Sequence, residues 1–135
     1  IKVVGQGGHG SAPHKLRDPI TAGAMVHQAL LSIVNRNVES KENVVFSICQ
    51  FRSGNTFNVY PDSAELGGSI RYYDKDSRDL IKERIKTISE FTAAAHLCTA
   101  EVTLEEEYPP VINHKEQTEH VIRLAKKHFG ADNFS

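Results

Sequence analysis

From Ser63 to Tyr73 the chain alternates without a break. Ala64, Leu66, Gly68, Ile70 and Tyr72 fall on one side, and Ser63, Glu65, Gly67, Ser69, Arg71 and Tyr73 on the other. Side chains of an extended strand point alternately to opposite faces, so this period of two requires a strand with one face on a core and excludes a helix. One such strand is not stable alone. The rest of the chain must supply further strands and a layer that covers the apolar face.

The flanking segments supply both. "IKVVGQ" at the start reads as a short strand. Asp18 followed by Pro19 is a helix start, an N-cap oxygen and then a residue that needs no N–H at the first helical position. Behind it, Ala22, Val26, Leu30 and Ile33 form one apolar stripe of a helix through Val38. The polar turn 39–43 leads into "VVFSICQF", expected as a strand buried on both faces or nearly so. "SGNTFNVYPD" then reads as a loop. After the alternating strand, "DKDS" caps a second helix with Ile81, Ile85, Ile88, Thr92 and Ala95 on its apolar stripe. "TAEVTLEEEY" reads as a fourth strand, ending in the solvated acidic run Glu105 to Glu107. The order β-α-β-β-α-β is the ferredoxin-like, α+β arrangement: a four-stranded antiparallel sheet with two helices on one face. A third helix, roughly 114–129 and stopped at Gly130, is surplus to that unit.

Composition narrows the function. Sixteen Lys and Arg against seventeen Asp and Glu give a formal charge of −1, which argues against nucleic-acid binding. No apolar run approaches the ~20 residues of a membrane span and no signal-peptide pattern is present, so the expected location is cytoplasmic. Cys49 and Cys98 fit neither a metal spacing nor a disulfide framework, and both are expected reduced and buried. The chain opens inside a strand and without Met, so a piece of a longer protein is expected.

"VVGQGGHGSAPHKLRDP" carries the chemistry. Gly5, Gly7 and Gly10 spell G-x-G-x-x-G after an apolar run. A dinucleotide site needs its last glycine to open a helix whose N–H groups hold the pyrophosphate. Here Pro13 and Pro19 follow within nine residues of Gly10, the helix starts only at Asp18, and no ribose-binding acid follows. A P-loop lacks its G-K-[ST]. His9 and His14, with only Asp18 nearby, are too sparse for a structural zinc site. Two readings of His9 stay open on the residues alone: an imidazole donating to a developing oxyanion, or a loop histidine capping backbone carbonyls.

"GQGGHGSAPH" with "DPI", "GNTFNVYPDSAELGGSIRYYD" and "YPPVIN", in that order, resemble the lid or dimerisation domain of the M20 metallopeptidase and amidohydrolase family. The similarity is to the branch of hippurate hydrolases, N-acyl-amino-acid deacylases and auxin-conjugate hydrolases, and it covers essentially the whole chain. The family's lid is the same split sheet with two helices. The resemblance implies a lid over residues 1–108 and, over 109–135, a return segment and helix belonging to an absent catalytic domain.

Residue by residue, it implies that His9 polarises the scissile carbonyl oxygen, in several members from the partner subunit. Asn58 would hydrogen-bond substrate near the reacting centre. Arg71 would hold the substrate's free carboxylate, a task suited to a guanidinium, unless it is a solvated sheet-face charge paired with Glu65 or Glu101. His14 would serve either a structural hydrogen bond or a supporting site role. The whole enzyme would be a homodimer using two divalent metals, Zn or Mn, to hydrolyse the amide bond of an N-acyl amino acid or small peptide. Family ligand motifs lie outside this segment, so no metal is expected here and the segment alone is expected inactive. The alternatives are a stand-alone ferredoxin-like binding and dimerisation module, or a non-catalytic member of the same family.

Overall fold

Strands β1 (Lys2–Val4), β3 (Val45–Ser53), β5 (Ser63–Arg71) and β6 (Thr99–Glu101) pair antiparallel in the order β3-β5-β1-β6, while β2 (Gly8–His9) and β4 (Val59–Tyr60) form a separate ribbon. Helices α1 (Pro19–Leu30) and α3 (Lys75–Ala95) pack on the sheet face that carries Val3, Ala64 and Leu66. This is the expected ferredoxin-like order. It comes from a computed structural model that describes residues 1–106 and 108–130. Glu107, within the expected fourth strand and acidic run, and residues 131–135 of the expected return segment lie outside the described residues. The chain divides into two units, Ile1–Glu105 and Glu106–Ser135. In the second, α4 (Lys115–Phe129) ends at Gly130, whose N–H donates to the Lys126 carbonyl.

The first unit's core is built by the predicted stripes. Ala22, Val26 and Leu30 of α1, with Ile33 of the short helix α2 (Ser32–Asn37), meet Ile81, Ile85 and Ala93 of α3. Leu30, Ile33, Ile81 and Ile85 are essentially sealed from water, each contributing about 1.5–3 kcal/mol relative to exposure. Near the end of α3 the buried position is Ala93, and Ala95 is exposed. Asp18 caps α1 by accepting from the N–H groups of Ile20 (2.8 Å) and Thr21 (3.2 Å), and Asp74 caps α3 through Ser77 N–H at 2.7 Å. The expected single helix through Val38 instead breaks at Leu31. Ser32 Oγ–H donates to the Ala29 carbonyl at 2.7 Å, a local bond that competes with the helical ladder.

Strand β3 is where the sequence misleads. It is the sheet's edge and is not buried on both faces: Val45 is 55 % and Phe51 42 % exposed. A bulge lies between Ile48, opposite Gly68, and Gln50, opposite Gly67. Before the bulge Phe46 and Ile48 face the core. After it Phe51 shares the face of Leu66, its partner across the ladder, and lies close over Gly23 of α1. Cys49 is the residue left over at the bulge, and it is exposed, whereas Cys98 is buried as expected. Burial raises the Cys98 thiol pKa. The expected fourth strand is also shorter, only Thr99–Glu101, because its neighbour β1 offers a three-residue edge to pair with.

The face away from the helices carries a row of alternating charge. Arg52, Glu65, Lys2 and Glu101 lie directly opposite one another across all four strands. Unlike charges on facing positions favour this register over a slipped one.

Two stability outcomes follow, both read from urea denaturation of the protein. Asp18→Ala removes a cap serving two N–H groups and should cost about 1 kcal/mol. Gly68→Ala places a Cβ on the Ser47 carbonyl oxygen at the bulge, with no flexible group to yield, and should cost more than about 1 kcal/mol. An unchanged midpoint for Gly68→Ala would mean that β3 does not approach β5 as described.

Candidate functional site

The loop from Gln6 to Arg17 is closed at its base by a two-way backbone bridge. Gln6 N–H donates to the Arg17 carbonyl at 2.9 Å, and Arg17 N–H to the Gln6 carbonyl at 3.1 Å. A second set of bonds ties it to the segment 58–62. Gly5 N–H donates to the Asp62 carbonyl and Gly7 N–H to Asp62 Oδ1, both at 2.9 Å, and Gly10 N–H donates to the Asn58 carbonyl at 2.8 Å. A Cβ on Gly5 would overlap the Arg17 carbonyl oxygen, and one on Gly7 the Tyr60 carbonyl oxygen. Three glycines of the G-x-G-x-x-G therefore exist so that neighbouring backbones pass at hydrogen-bond distance. Their N–H groups are taken by protein oxygens and do not face a phosphate, and a 3₁₀ turn, Pro13–Lys15, follows in place of a helix. The nucleotide reading fails on geometry as it did on sequence.

This packing presents His9 on β2, exposed, directly opposite Val59 of β4. Its Nδ1 receives the Ser11 backbone N–H at 3.2 Å and lies 2.8 Å from Ser11 Oγ. A backbone N–H only donates, so Nδ1 must offer its lone pair. The neutral imidazole then carries its proton on Nε2, and that N–H is the group left to meet a ligand. A bond to a backbone carbonyl would use the same Nε2–H.

Asn58 is exposed on the segment before β4, held beside the His9 loop by its own carbonyl. His14 lies in the 3₁₀ turn of that loop and is exposed. The structure thus brings His9, Asn58 and His14 to one end of the first unit. Arg71 is not among them. It ends the nine-residue β5, whose start follows Asp62, so it stands about 26 Å along an extended backbone from the His9 end. Arg71 lies on the face away from the helices, opposite Val45. The acids considered as its partners stand at other register positions: Glu65 opposite Lys2 and Arg52, and Glu101 opposite Lys2.

Two residues of this region escape a reading by motif. Ser11 sets the tautomer of His9, and Asp62 holds the glycine loop with both its carbonyl and its carboxylate. The H-x-S spacing is a local signal for the first; the second joins residues 55 apart and has none. Among the described residues no three His, Cys, Asp or Glu side chains come together to hold a metal ion, so the residues present do not fit a metal site. No described helix is long and apolar enough to cross a membrane.

Residues 1–97 match the model of the M20 peptidase dimerisation domain. A hippurate hydrolase of Campylobacter jejuni is 38 % identical over 133 residues, covering 98 % of this chain and 35 % of that protein. An N-acyl-L-amino acid amidohydrolase of Geobacillus stearothermophilus is 36 % identical, covering 86 % of this chain and 31 % of its own. A solved chain from methicillin-resistant Staphylococcus aureus superposes with a TM-score of 0.82 at 33 % identity, covering 95 % of this chain and 33 % of that one. A Bacillus subtilis M20-family peptidase described as dinuclear metal binding superposes with a TM-score of 0.68 over 93 % of this chain and 31 % of its own; at 24 % identity it shows the fold alone. This chain spans about a third of the length of the curated relatives it matches. With the family model covering most of its length and the split sheet and paired helices in place, the chain belongs to the M20 peptidase dimerisation domain family.

Proposed function

We propose that this chain is the lid and dimerisation domain of an amidohydrolase that cleaves N-acyl amino acids, and that His9 supplies the hydrogen bond that polarises the scissile carbonyl. The observation that carries the proposal is the Ser11 N–H held on His9 Nδ1, which leaves Nε2–H as an exposed, oriented donor. As the carbonyl carbon becomes tetrahedral, charge builds on its oxygen. A donor already in place strengthens its bond at that moment without reorganising. Asn58, held beside it, adds an amide suited to the same oxygen or to the substrate's N–H. Arg71 takes the free carboxylate of the amino acid in a two-pronged bond.

The spacing of these groups sets the assembly. The scissile carbonyl and the carboxylate of an N-acyl amino acid are only a few bonds apart. Within one copy Arg71 stands about 26 Å along β5 from the end of that strand to which the His9 loop is tied. A single copy therefore does not deliver both to one small substrate. Two copies do, with His9 and Asn58 from one lid and Arg71 from the other. Strand β3 is a nine-residue edge with unpaired backbone groups on one side, the kind of surface a second copy covers in an isologous contact.

The two divalent metals of the whole enzyme belong, on this reading, to the rest of the longer protein, and no step is assigned to them here. Residues from about 109 on belong to that catalytic domain. Within its own unit α4 leaves Val121, Ile122 and Leu124 exposed, an apolar side suited to packing against the rest of such a domain.

In the full-length enzyme His9→Ala should lower kcat by on the order of 10²–10³, the loss seen when one oxyanion donor is removed. Steady-state kinetics on a panel of N-acyl amino acids measures this, and a near-wild-type kcat would remove His9 from the chemistry. Arg71→Ala should raise KM at least about tenfold for substrates with a free carboxylate and leave the matching carboxamides unaffected. Equal effects on both would contradict the carboxylate role. Absence of turnover of every panel member by the metal-loaded wild type would place the protein with the non-catalytic members of its family.

A further inference from the structure

Phe57 is the one apolar side chain of an otherwise polar loop, Gly54–Asn58, and it is fully exposed, at 113 % of its reference area. A scattered surface phenylalanine needs no explanation by itself. This one is placed by the same bonds that build the candidate site. Gly54, with φ 67°, turns the chain out of β3, and the Gly10 N–H bond to the Asn58 carbonyl, at 2.8 Å, pins the residue next to Phe57 against the His9 loop. Val59 follows, 45 % exposed and directly opposite His9, where facing side chains come within about 5 Å at Cβ. Val59 therefore sets an apolar side chain beside the imidazole, Phe57 stands two residues before it on the same segment, and no described residue of its unit covers Phe57.

The carbonyl that His9 would polarise has two substituents. One ends in a carboxylate, which a phenyl ring does not hold and a guanidinium does. The other is the acyl group, which in this substrate class is neutral and often apolar. We infer that Phe57, with Val59 beside it, contacts the acyl group and sets a preference for large apolar acyl chains over acetyl. This rests on the amidohydrolase reading of the same site. A phenyl ring offers a large apolar acyl group far more contact area than it offers acetyl.

The test compares N-benzoyl and N-acetyl derivatives of the same amino acids as substrates of the full-length, metal-loaded enzyme. Wild type, Phe57→Ala and Phe57→Leu are measured. Phe57→Ala should raise KM for the N-benzoyl member by about tenfold or more and leave the N-acetyl member within about twofold, and Phe57→Leu should recover most of the loss. Because the ring is exposed, the fold does not depend on it, and the retained N-acetyl activity reports that directly. An equal change for both substrates would assign the ring to packing against another protein surface and overturn the proposal. So would no change in either, or a wild type that accepts acetyl and rejects benzoyl. A wild type inactive on both series, and on every other N-acyl amino acid, would overturn the amidohydrolase reading itself, an outcome distinct from those three.

Discussion

Strand β5 is the constraint on which the rest depends. It pairs with β1 on one side and β3 on the other, so its register sets which residues face the helices and which face away. Its core positions, Ala64 and Leu66, receive α1 from above, while Glu65 joins the charged row on the open face. Its length also fixes a distance. An extended backbone in a ladder neither stretches nor folds, so the residues at its two ends stay apart. The His9 loop is attached at one end through Asp62, and Arg71 stands at the other. The proposed function, which uses both on one small molecule, therefore calls for two copies of the domain, and the chain belongs to a dimerisation-domain family.

At the His9 end the controlling interaction is backbone against backbone. Four segments, 5–10, 16–17, 58–62 and the start of α1, approach closely enough that Gly5 and Gly7 have no room for a Cβ. What resembles a phosphate cradle in letters is a packing device in three dimensions. Those hydrogen bonds hold the loop that carries the exposed ring of His9. Ser11 completes the arrangement by occupying Nδ1, and Asp62 by anchoring the glycines from the far side of the sequence. Preorganisation of this kind matters most when charge develops quickly on an oxygen, since a donor that must first be oriented stabilises it less.

The parts of the fold governed by local periodicity were legible in the sequence. The alternation through β5, the Asp18–Pro19 start of α1, its stripe from Ala22 to Ile33, and the Asp74 cap of α3 all appear where their spacing places them. The failures have tertiary causes. A bulge at Cys49 switches the buried side of β3, so a run of apolar letters reads as doubly buried when it is an edge strand with a changing face. β6 ends at Glu101, opposite Lys2 where β1 begins, a limit set by a partner nearly a hundred residues earlier. β2 and β4, two residues each, are too short to show any period. In the candidate site, the loop histidine stood out through its glycines, whereas Asn58 and Arg71 were singled out by the family resemblance, with the outward position of Arg71 on β5 in agreement. The proximity of His9 to Asn58 and the distance of both from Arg71 depend on long-range pairing that no local pattern carries.

The claim that a site is shared between two lids is tested most directly by complementation in the full-length enzyme. His9→Ala and Arg71→Ala chains, each lowered at least about tenfold in kcat/KM alone, are co-expressed with separate affinity tags, and the mixed dimer is purified and assayed with substrate below KM. If each site takes His9 from one copy and Arg71 from the other, the mixed dimer holds one intact site and one doubly damaged site. Its activity should be about half that of wild type. Activity no higher than that of the two parent variants would mean that both residues serve the substrate from one chain, and would contradict the account.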